Sequence, residues 1–421
     1  MTTNTAQLNT YNAALGSNTL MSHTFGLLCL CIPLFSINDP NAFYYSCIAL
    51  LLVSSGYLVI KRPTLNLQNP EKWLLIAFFS YPLWAGTDML LRDTWSWNEF
   101  KEPSRFILVI PIFLAIRAVR FPLAYLFTGI IMGAVWAGLQ GLYQGQYLNV
   151  YRAGGGASHV TAFGNISLLL GMMSLASITL FKQYRWPMII VALTGLCFGI
   201  IASIMSGSKG GWISLPLLFW IAVDLLEKPT YTKRFGSTLV MLSIAIMAYL
   251  SSGLVQSRVD AVIPSLITYF TSGEIADGSV GPRLEMWSAS WAIFTQHPIF
   301  GAGVGNYFAE KAALIEQGVL KANVATFVQS HNQLLQSMAE GGLIGVACVY
   351  GIYTALIALY RNALTQAKPI AVCGLMLAVA FMDFGMADGI WSITNAGTFF
   401  TVMAVIFAGL SCQTKILTTP I

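Results

Sequence analysis

The chain has 421 residues, of which 56% are hydrophobic and only 9% are charged, and its formal net charge is +5. Soluble globular domains carry roughly 25% charged residues, and the mean hydropathy here is +0.68. These values exclude a cytosolic enzyme, a disordered protein and a secreted disulfide-rich scaffold. Uninterrupted apolar runs such as 47–60 and 188–205 disfavour a β-barrel, whose strands alternate apolar and polar residues. The composition predicts an all-α, polytopic membrane protein, because helices satisfy their own backbone in lipid.

Twelve apolar segments approach the length of a membrane-spanning helix, about 20 residues. The predicted spans, in chain order, centre on residues 22–37, 42–60, 73–90, 105–118, 121–140, 162–181, 186–205, 212–226, 235–252, 342–360, 370–387 and 391–410. The first, fourth and eighth are short. The chain is therefore expected to divide into a bundle of nine spans (1–252), a large soluble segment (253–341), and three further spans followed by the C-terminus (342–421).

The distribution of Lys and Arg predicts the orientation, because short cytoplasmic loops are enriched in these residues. Of the 22 cations, thirteen lie in one set of connections, five lie in the opposite short loops and four lie in the segment 253–341. Both termini are therefore predicted to be cytoplasmic and the segment 253–341 to lie on the outer side of the membrane. This asymmetry explains the positive net charge without nucleic-acid binding.

The segment 253–341 is predicted to be helical. Pro282 suits the first turn of a helix, and apolar residues then recur at helical spacing: Leu284, Trp287 and Trp291. His297-Pro298 is expected to end this helix, and the glycines at 301, 303 and 305 indicate a tight loop. A GxGxG run is also a weak phosphate-binding signal, but no strand precedes it and no GK[ST] follows it.

Two more helices are predicted in this segment, over 308–317 and 323–340. The second would carry five residues on one face: Val324, Val328, His331, Leu335 and Met338. His331 is thus predicted to lie on an apolar stripe that packs onto the membrane bundle. A lone histidine in such a position is usually a core residue, whereas the polar side chains around it favour a functional role.

Three cations lie on the outer side of the predicted bundle, where Lys and Arg should be rare. Arg152 precedes three consecutive glycines, Lys209 lies among small residues between two spans, and Arg105 opens a span. A polyanionic group at the outer membrane face would explain them. For Lys209 alone, a side chain that snorkels to the interface is the simpler explanation.

Arg283 lies in the first turn of a predicted helix, where a cation is electrostatically unfavourable. It either pairs with an acid such as Glu285 or clamps a phosphate, and the spacing leaves both possibilities open. Asp383 and Asp388 close the eleventh span and fit an interfacial turn better than a proton or ion site. DxD, ExD and HExxH motifs are absent, which argues against a metal-dependent glycosyltransferase and a membrane metalloprotease.

Five local patterns together resemble the O-antigen ligase family. His331-Asn332, nine residues and then Gly342-Leu343-Ile344-Gly345 fits the ligase pattern of His-[Asn/Ser/Gln], nine of any residue, and GxxG. The other four are Gly281-Pro282-Arg283 with Trp287, the turn His297-Pro298-Ile299-Phe300-Gly301-Ala302-Gly303, Arg152 with the glycines at 154–156, and the segment 206–212, which is similar to SxSRGxW. In the last, Lys209 stands where the family has Arg, so the charge is kept and the bidentate fork is lost.

The resemblance implies a GT-C-like membrane enzyme of the bacterial inner membrane with its active site at the periplasmic face. Such a protein transfers a glycan from undecaprenyl diphosphate to a sugar hydroxyl of lipid A–core, without metal or cofactor and with inversion. His331 would be the general base and Arg283 the first diphosphate clamp. Residues expected to bind the diphosphate or glycan are Lys209, Arg152, Arg105, Asn332, His297 and Arg258.

Two other functions of the same chemical class remain open. An O-antigen polymerase or a pilin O-oligosaccharyltransferase would share the donor and differ in the acceptor. A polytopic transporter is the alternative from another class, but ion-coupled carriers usually bury ionisable residues within their spans. Here such residues are scarce and the unusual charges gather at one face.

Overall fold

The computed structural model describes residues 19–157, 159–181, 184–208, 210–226, 229–251, 253–272, 280–320, 324–325 and 329–413. These residues form eighteen α-helices and no β-strand, which confirms the all-α prediction. The helices are α1 Thr19–Phe35, α2 Pro40–Lys61, α3 Asn69–Leu91, α4 Trp97–Leu108, α5 Ile110–Ala118, α6 Ala124–Leu142, α7 Val160–Ser174, α8 Ser177–Leu180, α9 Arg185–Ser206, α10 Gly210–Ala222, α11 Tyr231–Ser251, α12 Gly253–Asp260, α13 Val262–Ser272, α14 Val280–Gln296, α15 Tyr307–Glu316, α16 Gln333–Ala363, α17 Lys368–Ala387 and α18 Thr394–Gln413.

Every predicted span coincides with helical structure. Eight of the described helical segments are long and apolar enough to cross a membrane, and the first and eighth predicted spans are shorter apolar helices, Leu20–Phe35 and Gly210–Leu225. The fourth span is divided between α4 and α5 at Val109. Pro111 accounts for this break, because proline lacks the N–H that would continue the ladder and its ring crowds the preceding turn.

The bundle is organised around α18. In its most apolar window, 94% of the residues of α18 are buried, against 22% for α2. A helix that is apolar on all sides belongs in the interior, whereas one that buries a single stripe lies at the periphery. The final helix of the bundle is therefore its centre, and α2 faces the surrounding medium.

The segment after α11 forms its own small core. Residues of α14, the following turn, α15 and the start of α16 pack together there: Ile293, Ala302, Tyr307, Leu314 and Ala339. Pro282 lies in the first turn of α14, which ends just before His297, and α15 covers nearly all of the predicted helix 308–317. The predicted order of helix, break and helix is therefore confirmed.

The helix predicted over 323–340 is wrong in its first half. Among the described residues of that stretch, α16 begins only at Gln333, and His331 has a left-handed backbone with φ of 48°. The polar side chains at 330 and 332 bond to nearby backbone groups and so compete with helix formation. His331 therefore precedes a helix instead of lying on the apolar face of one.

A sharp break divides α16 at Gly342, whose φ of 58° and ψ of −150° are not helical. The turn after α14 fills this break with four backbone hydrogen bonds of 2.8–3.2 Å: Leu343 N to Pro298 O, Ile344 N to Ile299 O, Ala302 N to Ala339 O, and Gly303 N to Glu340 O. Backbone N–H and C=O groups that lose their helical partners at the break thus form hydrogen bonds with the turn.

Glycine is required on both sides of this contact. Gly301 and Gly342 have positive φ, and a Cβ on either would lie 2.2–2.5 Å from backbone atoms of the other segment. The glycines at 301, 303 and 305 therefore form the tight loop that the sequence predicted. We refer to residues 298–303 together with the break at Gly342 as the helix-break clasp.

Candidate functional site

The candidate site lies at one end of the bundle, where several elements terminate. The start of α16, the end of α17 and the loop before α7 meet there, and α14 of the soluble segment lies close enough for charge interactions. Each of these elements contributes at least one polar side chain. The site is therefore assembled from residues that are far apart in the chain.

Asn332 holds His331 in place. Its side-chain oxygen accepts a hydrogen bond from Leu335 N at 3.1 Å, which makes it the N-cap of α16. Its side-chain nitrogen donates to Met386 O at 3.2 Å, and this bond joins the start of α16 to the end of α17. Asn332 thus fixes the backbone next to His331 relative to a second helix.

His331 and Asp388 form a hydrogen-bonded pair. His331 Nδ1 lies 2.8 Å from Asp388 Oδ1, and Gly389 N donates to the same oxygen at 2.9 Å. Asp388 is only 2% exposed, whereas the side chain of His331 is 35% exposed. A buried carboxylate therefore orients an imidazole whose other edge remains accessible.

A second histidine approaches the same carboxylate. His159 Nδ1 lies 4.0 Å from Asp388 Oδ2, and His159 is the N-cap residue of α7. Burial raises the pKa of Asp388, but the hydrogen bond and charge of His331 and the charge of His159 lower it further, so the pKa is below the ordinary value. Asp388 is consequently ionised at neutral pH and acts only as an acceptor.

Arg283 lies near this carboxylate and interacts with its charge, but the described structure shows no direct ion pair between them. Burial lowers the pKa of its half-buried guanidinium, and the negative charge of Asp388 opposes that effect. Where positions are described, Arg283 forms no ion pair with Glu285; that acid is buried and accepts a hydrogen bond from Tyr269. The described structure therefore does not show the pairing with Glu285 that the sequence left open.

Arg152 and Arg105 are held by backbone carbonyls. Arg152 Nε donates to Ser206 O at 2.9 Å, and Arg105 Nη1 donates to Trp391 O at 2.7 Å. Arg105 also lies near Glu102, whose carboxylate accepts from Tyr81 at 3.0 Å. Arg152 therefore joins the loop before α7 to the end of α9, and Arg105 supports the segment that follows Asp388.

Of the remaining predicted site residues, only His297 has a described side chain, and that side chain pairs with a different acid. His297 Nε2 lies 3.2 Å from Glu310 Oε1, inside the soluble segment. Lys209 and the side chain of Arg258, on α12, lie outside the described residues. Within the described part of the chain, no group of three His, Cys, Asp or Glu side chains could hold a metal ion.

Sequence reasoning missed the roles of Asp388 and His159. The sequence places Asp388 in an interfacial turn, and no motif in it singles out His159. The sequence did contain one indication of a role for Asp388. This acid ends an apolar span on the same side of the membrane as the three unusual cations. That signal gives no partner, because 57 residues separate Asp388 from His331.

This arrangement defines a multi-pass α-helical membrane protein with a histidine–aspartate pair at one end. Residues 194–350 match the family described as O-Antigen ligase, and this confirms the resemblance seen in the sequence. The matched residues include Arg283, His331 and the helix-break clasp. The match supports glycosyl transfer of the ligase or polymerase type.

The chain also resembles a protein over nearly its whole length. An uncharacterized protein of Haemophilus influenzae is 22% identical to it over 393 residues, which cover 92% of this chain and 98% of that protein. Because the similarity extends well beyond residues 194–350, the two proteins share more than the matched family region.

Proposed function

We propose that the protein is an O-antigen ligase of the bacterial inner membrane. It transfers a glycan from undecaprenyl diphosphate to a sugar hydroxyl of lipid A–core at the periplasmic face, without a metal ion. The observation that carries the proposal is the 2.8 Å contact between His331 Nδ1 and Asp388 Oδ1. It gives a neutral hydroxyl nucleophile the general base that it requires.

The pair determines which ring nitrogen takes the proton. Because the ionised Asp388 can only accept, His331 Nδ1 carries the hydrogen and Nε2 has the free lone pair. The acceptor hydroxyl gives its proton to Nε2 while its oxygen attacks the anomeric carbon. The bond from that carbon to the diphosphate oxygen breaks, and configuration inverts through direct displacement. Asp388 stabilises the imidazolium that forms.

The cations near the site suit the leaving group. Lipid diphosphate departs with negative charge, and preorganised cations stabilise such charge as it develops. Arg283 is the clamp in this proposal, because it lies on α14 close enough to the end of the bundle for its charge to interact with that of Asp388. Arg152 and Lys209 support it, and Asn332 contributes by positioning His331.

Deleting the gene and running lipopolysaccharide on a gel tests the assigned reaction. Loss of the ladder with core–lipid A retained is the result expected of a ligase. A single repeat unit on the core would instead identify a polymerase. An unchanged ladder would overturn the ligase assignment and favour a pilin transferase or a transporter.

Replacing His331 with Gln tests the assigned base in the purified protein. Loss of a general base costs about 10²–10⁴-fold in rate, whereas melting temperature and donor binding should stay near the wild-type values. His23→Gln is the matched control, because His23 lies on α1 and bonds to Tyr125 instead of the site. A folded His331→Gln protein with near-normal turnover would exclude His331 as the base.

A further inference from the structure

An apolar groove runs along the outside of the bundle between α3 and α16. Its volume is about 710 Å³, and its walls include Trp73, Ile76, Ser80, Thr354 and Ala358. Both helices are long and apolar enough to cross a membrane. The groove is therefore open along the length that faces hydrocarbon.

The groove extends to the end of the bundle opposite the candidate site. Helix α16 begins beside His331 and ends at Ala363, so Asn362 lies at its far end. Asn69 begins α3 and lines the same end of the groove, while the other end of α3 meets the soluble segment, where Arg92 donates to Gly301 O at 3.0 Å. The groove's polar mouth is thus distant from the glycosyl-transfer chemistry.

Two exposed cations flank the mouth of the groove, on the two helices that form its walls. Lys72 precedes Ile76 by four residues and Ser80 by eight, so these three side chains share one stripe of α3. Arg361 follows Ala358 by three residues and Thr354 by seven, so these three share one stripe of α16. Apolar walls therefore lead to a positively charged mouth.

The acid next to Lys72 does not neutralise that mouth. Glu71 is buried and forms an ion pair with Arg117 at 2.6 Å. Arg117 in turn donates to Asn66 O at 2.6 Å, which fixes the pair on the inner side of α3. Among the described residues, no ion pair involves Lys72 or Arg361, so their positive charge can attract an anion.

We propose that this groove binds an anionic glycerophospholipid of the adjacent leaflet. Its acyl chains lie between α3 and α16, and its phosphate lies between Lys72 and Arg361. A basic pocket between membrane helices is a suitable site for an anionic lipid headgroup. The polyprenyl diphosphate donor does not fit this mouth, because its diphosphate must reach His331 at the other end of the bundle.

Native mass spectrometry of the full-length protein in detergent tests the proposal. Delipidated protein is titrated with dioleoylphosphatidylglycerol or with dioleoylphosphatidylethanolamine, and the apparent affinity of each lipid is measured. Each cation is worth about a fivefold change in affinity, so Lys72→Glu with Arg361→Glu should weaken phosphatidylglycerol binding by at least about 25-fold. Lys61→Glu, a change of an exposed cation at the end of α2, should leave binding unchanged.

Filling the groove gives a second test that leaves the charges intact. A Cβ on Gly351, which lines the groove, meets no atom within 4 Å, so Gly351→Leu extends into the groove without a clash and should displace the lipid. Gly56→Leu is the matched control, since Gly56 on α2 also has open space around it. Phosphatidylglycerol should raise the melting temperature of the wild type and of Gly56→Leu, but not that of Gly351→Leu.

Three results would overturn the assignment. Equal affinity for the two lipids would show that the cations do not select charge. Unchanged binding in both the charge variant and Gly351→Leu would place the lipid elsewhere. A dimer that Gly351→Leu dissociates would assign the groove to a second copy of the chain. Glycosyl transfer is measured separately, so failure of this proposal leaves the proposed ligase activity untouched.

Discussion

Asp388→Asn separates the charge of the carboxylate from its hydrogen bonds. In the wild type, Asp388 Oδ1 accepts from His331 Nδ1 at 2.8 Å and from Gly389 N at 2.9 Å. The side-chain oxygen of asparagine can accept both bonds in the same place. The variant should therefore fold and keep His331 oriented while losing the negative charge that stabilises its imidazolium form.

Coulomb's law gives the size of the expected effect. Opposite charges about 4 Å apart attract by about 4 kcal/mol at an effective dielectric constant of about 20. Because each 1.36 kcal/mol changes a rate tenfold, this limit corresponds to about 10³-fold in kcat. The side chain of His331 is 35% exposed, so solvent screening reduces the effect and we expect a loss of about 10²-fold.

Reconstituted transfer with purified donor and acceptor measures this loss, with Asp383→Asn on the same helix as control. Normal turnover in folded Asp388→Asn protein would refute the stabilising role of the carboxylate. Stability gives an independent readout, because the pKa of Asp388 in the folded protein lies below its ordinary value of 3.8. Its contribution is present at neutral pH and is lost as the pH falls below about 4 and through the folded-state pKa. This acid-dependent loss in melting temperature should be reduced in the variant.

Three further predictions concern the clamp, metal ions and the helix break. Arg283→Lys should impair transfer nearly as much as Arg283→Ala, because a lysine cannot grip diphosphate bidentately, whereas Lys209→Arg should be tolerated; full activity in Arg283→Ala would remove the clamp from the mechanism. Transfer by purified protein should survive EDTA, and loss of activity that magnesium or manganese restores would contradict a clamp made of cations alone. Gly342→Ala should destabilise the protein by about 1–3 kcal/mol or more, because its backbone conformation is strained for other residues and a Cβ would lie 2.5 Å from the Ile299 carbonyl carbon. Gly56→Ala, in open helical space, is the control for denaturant unfolding, and equal stability of the two variants would show that the break tolerates a side chain.

Sequence alone placed the helices of the bundle because their physical signal is local. Apolar runs near 20 residues, bounded by cations, predict membrane helices without knowledge of any tertiary contact. The same holds for α14 and α15, where helical spacing and the His297-Pro298 break predicted both the helices and the turn. The eighteen helices of the described residues exceed the twelve predicted spans, mainly because of the helices in the segment 253–341 and the break at Pro111.

The candidate site was harder to predict from the sequence than the helices, because its geometry depends on tertiary contacts. Apolar residues near His331 recur at helical intervals, so periodicity predicted a helix through it. The actual conformation is decided by Asn332, which caps α16 and bonds to Met386 O at 3.2 Å. A cap residue was visible in the sequence, but its partner on α17 was not.

The structure explains why nine residues separate Asn332 from Gly342 in the motif that begins at His331. Residues 333–341 form the first part of α16, which spans about 14 Å at 1.5 Å per residue. One end of this rod is fixed to α17 through Asn332, and the other is fixed to the turn after α14 through the helix-break clasp. The spacer therefore sets the distance between His331 and the turn after α14. Arg283 lies on α14, so the spacer also positions Arg283 relative to His331. In the proposed mechanism, the length and the helical phase of this segment both matter. Inserting or deleting one residue would rotate the rod by about 100°, and the proposed base and the proposed clamp would then no longer face one substrate.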